Sequence, residues 1–263
     1  MSHKVFNRIR DDLCNYDRYF IQKSDVMKKV GLLLEQKMAS SLRMLAYGAT
    51  ADQCAEYCRM AKSTSIECLQ RFTRGIIALY SEEYLRALTL VDLKRLLAKG
   101  EKRGLPRMIG SIDCMHWQWK NCPTAWAGEY SGRKKILTII IEAIASYDTW
   151  IWHAFFGMPG ACNDLNVLAK SPLFDELTAG RAPKIQFQVN NKVHKLGYYL
   201  VDRIYPRWAT FVKTIPNPTR PKEITFAKAQ EGYQKDVERC FDILQASFGI
   251  VRGATHGWDK EDL

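Results

Sequence analysis

Long apolar runs are missing from this 263-residue chain. Nowhere do about 18 apolar residues follow one another, so no segment reads as a transmembrane helix. The N-terminus, MSHKVFNRIRDDL, has no apolar centre of the kind a signal peptide needs. Paired cysteines are also missing. The eight cysteines stand apart at positions 14, 54, 58, 68, 114, 122, 162 and 240. Only Cys54 and Cys58 are near each other, at helical i,i+4 spacing, and no second pair completes a zinc site. They read as reduced thiols of a nuclear or cytosolic protein. Neither an internal repeat nor a low-complexity tract is present, which excludes solenoids and linker-like chains.

What is present is a globular composition, 47% hydrophobic and 11% aromatic, in a chain long enough for one large domain or a domain with a small module. The net charge is +11. Residues 1–110 hold 20 basic and 12 acidic residues, an excess of +8; the remainder holds 19 and 16, an excess of +3. The N-terminal concentration of positive charge suits a polyanionic partner, although many soluble proteins are basic without binding nucleic acid.

The first 107 residues read as helical. Residues 1–30 suggest a short helix followed by an extended arm, with Phe6, Tyr16, Tyr19 and Phe20 set among charges. GLLLEQKMASSLRMLAY places Leu34, Met38, Leu42 and Leu45 on one stripe, and Gly48 ends the helix. TADQCAEYCRM is a short helix, and AKSTSIECLQRFTRGIIALY follows with capping-box spacing between Thr64 and Glu67. Two helices joined by a short turn are compatible with a helix-turn-helix, in which Lys62, Ser63, Ser65, Gln70, Arg71 and Arg74 would face DNA. An ordinary helical bundle with a solvated basic face accounts for the same pattern. A further amphipathic helix carries Leu90, Leu93, Leu96 and Leu97. The loop KGEKRGLPR marks the expected boundary of an N-terminal region spanning 1–107.

Beyond that loop the texture changes. IGSIDCMHW, ILTIIIEAIAS and WIWHAFFG read as strands, the last two as a hairpin turning across Tyr147–Thr149. MPGACND opens a helix, DLNVLAKSPLFDEL; IQFQVNNKVHKL is a hairpin turning at Asn190–Asn191; and LGYYLVD is a strand ending on Asp202. Residues 223–248 form a long helix interrupted near Gly232. The order implies a mixed α/β, or α+β, domain over 108–253, with 254–263 as a tail.

Four acids stand out in it. Asp113 follows an apolar entry (Met108, Ile109, Ile112) and is expected at the exposed end of a buried strand; closing a strand-end turn is its plainer role. Asp202 ends a second strand. Glu238 shares a helix with Val237, Phe241, Leu244 and Phe248 and lies near the face expected to dock on the sheet, with a salt bridge to Lys235 or Arg239 as the bland alternative. Asp164 opens a helix, where N-capping by Asn163-Asp164 is the simpler reading. Two acids on adjacent strand ends and a third on a helix suit phosphodiester chemistry with divalent ions. Mg²⁺ or Mn²⁺ takes oxygen ligands, usually a few carboxylates plus substrate phosphate. Lys134, Lys135, Arg203, Arg207 and Lys213 neighbour these segments and either track a DNA backbone or are plain surface.

GSIDCMHWQWKNCPTAWAGEYSGR, ASYDTWIWHAFFGMPGACNDLNVL, GYYLVDRIYPRWATFVKTIPNP and KDVERCFDILQASFGIVRG, in that order, resemble the PIF/Harbinger transposase family, including its plant-type members and the domesticated nuclease-like and ALP1-like proteins. The resemblance runs from about Phe6 to Gly253. It implies an RNase H-like fold and a DDE-type metal-dependent transposase or nuclease acting on DNA in the nucleus. By motif, Asp113, Asp202 and Glu238 fall on the family's catalytic acids, and Asp164 on the acid of its helix-opening block. It also implies an N-terminal helix-turn-helix and a separate Myb-like accessory protein; a homo-oligomer is a further expected partner. Three features depart from the pattern: Arg203 where a small residue is expected, Asp242 within the F-G-x-L block, and a C-terminus and N-terminal leader shorter than usual, as in a truncated copy. Those departures keep open a catalytically silent DNA- or chromatin-binding scaffold, and a helical adaptor that binds only proteins as a third reading.

Overall fold

A computed structural model of the chain describes residues 1–132, 134–173, 175, 184–189, 192–255 and 257. They divide into two compact units. One contains Met1–Tyr84 and Leu244–Thr255; the other contains Leu85–Ile243.

The first unit is helical. It holds α1 (His3–Tyr16), α2 (Leu34–Tyr47), α3 (Ala51–Cys58) and α4 (Lys62–Tyr84). Its core is Leu13, Phe20, Leu34, Met38 and Phe72. Local chemistry sets the ends. Ser2 Oγ accepts from the Val5 amide at the start of α1, and Thr50 with Gln53 closes a capping box on α3. Gly48 ends α2 with φ of +65°, a left-handed conformation that a β-carbon disfavours. Thr64 lies inside the first turn of α4, not ahead of it, so its spacing to Glu67 is not the cap expected there.

The second unit is α+β. It contains α5 (Leu90–Lys102), β1 (Met108–Gln118), α6 (Ala127–Tyr130), β2 (Thr138–Ala145), β3 (Ile151–Pro159), α7 (Asp164–Leu168), β4 (Lys184–Val189), β5 (Lys192–Leu196), β6 (Tyr198–Leu200), β7 (Phe211–Val212) and, as far as Ile243, α8 (Pro221–Ser247). A last short helix, α9 (Gly249–Arg252), returns to the helical unit. Helix α5 groups with the sheet, because its Leu96 is buried with Ile109 and Ile112. The compact units therefore divide at Tyr84–Leu85, and the expected boundary at 107 falls inside the second unit.

The sheet is mixed, in the order β3-β2-β1-β6-β7. Strands β3, β2 and β1 run antiparallel, and β6 and β7 are parallel to β1. β2 is almost continuously β-branched and buried on both faces, as a strand near the sheet centre should be. One core gathers Ile112, Ile144, Leu168, Tyr199, Val201, Tyr205 and Phe211. A second cluster places Leu105, Met108 and Leu200 with Phe226 and Tyr233 of α8. β4 and β5 pair as a separate hairpin; the turn expected at Asn190–Asn191 lies outside the described residues.

Two elements differ from expectation. α8 runs unbroken through Gly232, where a β-carbon would meet open space. An exposed helical glycine costs about 1 kcal/mol against alanine, too little to break a helix anchored on both sides of it. α7 is shorter than expected and ends at Leu168.

Candidate active site

Asp113 does not end its strand. β1 continues to Gln118, paired all the way with β2. What ends beside Asp113 is the parallel neighbour. Ser111 is in register with Leu200, the last residue of β6. Asp113 lies two residues past that last pair on β1, and Asp202 lies two residues past it in the loop that leaves β6, near enough for its charge to act on Asp113. The sheet thus brings the two carboxylates to the same region, where β6 ends.

Helix α8 covers that side. Ser111 Oγ donates to the Tyr233 carbonyl at 3.1 Å, two positions before Asp113. The next residue, Gln234, donates through Nε2 to Asp202 Oδ1 at 2.5 Å, and Gln230 Nε2 donates to the Val201 carbonyl at 3.3 Å. Gln230, Gln234 and Glu238 follow at intervals of four, so they share a stripe along α8. Glu238 is solvent-exposed at the end of that stripe. Arg239, considered above as a salt-bridge partner for it, instead meets Asp236 at 2.9 Å.

Asp236 was not among the residues singled out from sequence, yet it fixes the helix. Its carboxylate is 3% exposed and accepts from Arg103, the residue that caps the end of α5, as well as from Arg239. Arg103 also stacks over the Tyr233 ring at 4.6 Å. Of the two partners only Arg103 lies outside α8, so the Arg103–Asp236 pair is the one that ties the helix to its neighbour on the side away from Gln234.

Asp164 is the first residue of α7. The cap belongs to its neighbour, since Asn163 Oδ1 accepts from the Asn166 amide at 3.0 Å. Asp164 and Asp202 line one open cavity of about 430 Å³ with Arg203, Gln230, Glu231 and Gln234. Lys213 Nζ donates to the Arg203 carbonyl, which ties the loop after Asp202 to the strand that follows it.

The electrostatics of Asp113 record this gathering. Burial pushes its carboxyl up to about 7. The Cys114 amide, donating at 2.8 Å, works against that shift, and the negative charges of Asp202, Asp164 and Glu238 add to it. The other three acids singled out from the sequence therefore all lie within electrostatic reach of Asp113. They are not in contact: among the described residues no three His, Cys, Asp or Glu side chains stand close enough to hold one ion. The donor set is nevertheless all oxygen, and Mg²⁺ is commonly held by one or two carboxylates with water and phosphate supplying the rest. Asp113 and Asp202 fit that requirement.

The residues expected to read DNA are placed differently. Ser65 is fully buried and hydrogen-bonds Ser40 Oγ at 2.6 Å, so it has no surface to offer. Lys62 pairs with Asp52 at 2.8 Å. Arg71 bridges Asp17 and Glu67 at 3.0 and 2.9 Å and stacks on Tyr19. Gln70 is half-buried, and Arg74 is exposed. Of these five only Ser65 is withdrawn from the surface. None of the helices among the described residues is long and apolar enough to cross a membrane.

The family model described as plant transposon protein matches residues 82–263, which takes in the whole acid-bearing sheet. No curated protein and no solved structure matches the chain.

Proposed function

We propose, on the premise that the chain belongs to the plant transposon protein family, that it is a metal-dependent DNA endonuclease or transposase of the DDE type, on an RNase H-like sheet of the PIF/Harbinger kind. The observation that supports this most directly is that Asp202, Asp164 and Glu238 all lie within electrostatic reach of the half-buried Asp113, with Asp202 just beyond the end of the strand parallel to β1. Acids held within reach of one another repel, and a cation relieves the repulsion.

In this reading Asp113 and Asp202 hold Mg²⁺ or Mn²⁺, which when bound stabilises charge on the attacking and leaving oxygens of a phosphodiester. Gln234 holds Asp202 in a fixed orientation through its amide. Glu238, exposed one turn further along α8, closes the site from the helix side, and Asp164 supports it from the cavity wall. Arg203, on the same wall, is a cation at hand for a phosphate oxygen. The +11 net charge suits DNA as the substrate. A nuclear location, a Myb-like accessory protein and a homo-oligomer accompany the proposal.

Arg203 favours a second reading as well. A long side-chain cation on the wall that carries Asp164 and Asp202 can stand in for a metal ion and leave a silent DNA-binding scaffold. Nicking of supercoiled plasmid with Mn²⁺, beside a Glu238→Gln variant, separates the two. Nicking by the parent and not by the variant is the expected result. Salt-sensitive DNA binding without nicking by either protein would defeat the enzymatic reading.

A further inference from the structure

β2 is apolar from Ile139 to Ala145 except at one position, Glu142, whose side chain is fully buried. Its Oε2 lies 3.2 Å from His153 Nε2 on β3, and the same nitrogen lies 2.9 Å from Ser171 Oγ. With its proton on Nε2, His153 donates to both. Ser171 is 2% exposed, and its hydroxyl oxygen also accepts from the Leu173 amide at 3.3 Å. The other carboxylate oxygen, Glu142 Oε1, is buried without a hydrogen-bond partner.

For stability alone this arrangement is poor. An unsatisfied buried oxygen costs about 1–3 kcal/mol, and apolar residues of similar volume often serve as well as a buried ion pair or better. What polar contacts supply and apolar packing does not is one defined seating. Ser171 is the point where that seating is applied. Its amide donates to the Val167 carbonyl at 2.9 Å, which ties it to the end of α7, and Val167 and Leu168 are buried above the sheet. Asp164 is at the other end of the same five-residue helix. A helix this short has little stiffness of its own.

We propose that Glu142, His153 and Ser171 form a buried clamp that seats α7 on β2 and β3 and so positions Asp164 beside Asp113 and Asp202. The inference rests on the enzymatic reading above for its kinetic consequence, and on the clamp alone for its structural one. Glu142 is a positioning residue; it does not touch the proposed reacting atoms.

Three proteins test it: the parent, Glu142→Gln, and Glu142→Leu with His153→Leu. The glutamine keeps an oxygen to accept from His153. The leucine pair fills the volume and removes both polar groups. The expected result for the leucine pair is a melting temperature at or above that of the parent. Its amide exchange over residues 162–171 is faster, and its plasmid-nicking rate at saturating Mn²⁺ and DNA is lower by about tenfold or more. The DNA concentration for half-maximal rate stays within about twofold. Glu142→Gln keeps the parent's exchange and rate. The proposal is overturned if the leucine pair shows the parent's exchange and rate. It is equally overturned if rate and melting temperature fall together and Glu142→Gln does no better. Should the parent itself not nick DNA, the enzymatic reading fails, and the exchange comparison alone decides whether the clamp seats α7.

Discussion

Replacing Asp113 with asparagine should stabilise this protein at neutral and alkaline pH when no divalent ion is present. The carboxyl group is half-buried and faces the charges of Asp202, Asp164 and Glu238, so its folded-state pKa is raised to about 7 from an ordinary 3.8. That span corresponds to roughly 4 kcal/mol against the ionised form. The sign follows from proton uptake. Below the ordinary value the group is protonated folded and unfolded, and the penalty vanishes. Between the two values the unfolded chain releases its proton while the folded one holds it, so stability falls as pH rises. Above about 7 the whole penalty is felt. Asparagine is nearly isosteric and neutral, and its oxygen still accepts from the Cys114 amide. Allowing for partial solvation of the site, Asp113→Asn should gain about 2–4 kcal/mol at pH 8, or roughly 5–10 °C in melting temperature, and almost nothing at pH 4. The assay is urea unfolding of both proteins across that pH range in chelator, repeated with Mn²⁺. Mn²⁺ should then raise the parent's stability and leave the variant unmoved. A variant no more stable than the parent at pH 8, or a difference that does not widen with pH, would refute the crowding of carboxylates on which the site rests.

Two further outcomes concern the scaffold. Arg103→Met leaves the buried Asp236 with Arg239 as its remaining ion-pair partner and should cost about 3 kcal/mol in urea unfolding; adding Asp236→Leu should recover most of it, since no buried charge is then left uncompensated. Ser65→Ala strips the buried Ser40 hydroxyl of its partner and should cost about 1–2 kcal/mol, with DNA affinity in a filter-binding titration unchanged because the residue has no exposed surface.

Sequence made the strands and the acids legible for the same reason. A β-branched run such as TIIIEAIA has few alternatives to a buried strand, and an acid set against such runs is conspicuous because burial is costly. The acid-bearing segments could therefore be picked out one by one. Their mutual placement could not. That Asp113 and Asp202 come near each other depends on the parallel pairing of β1 with β6, which joins segments about 90 residues apart. That β1 runs on past Asp113 depends on the length of its antiparallel partner, β2.

Helix surfaces misled where the partner was distant in sequence. Ser65 and Arg71 look like exposed polar residues on a capped helix. Ser65 finds Ser40 and Arg71 finds Asp17, contacts across 25 and 54 residues that no local pattern encodes. The same applies to Asp236, whose partner Arg103 lies 133 residues away. Glu238 attracts notice beside an apolar stripe, but the residue that touches a site acid is Gln234, an uncharged side chain one turn earlier. Its signal was the spacing of Gln230, Gln234 and Glu238. Such a stripe becomes meaningful only once the helix's placement is known, and the Arg103–Asp236 pair ties the helix to its neighbour about 200° around from Gln234. The polar contacts that orient the site therefore lie mostly outside it, and a substitution at Arg103 should disturb the acids from beneath α8 without touching any of them.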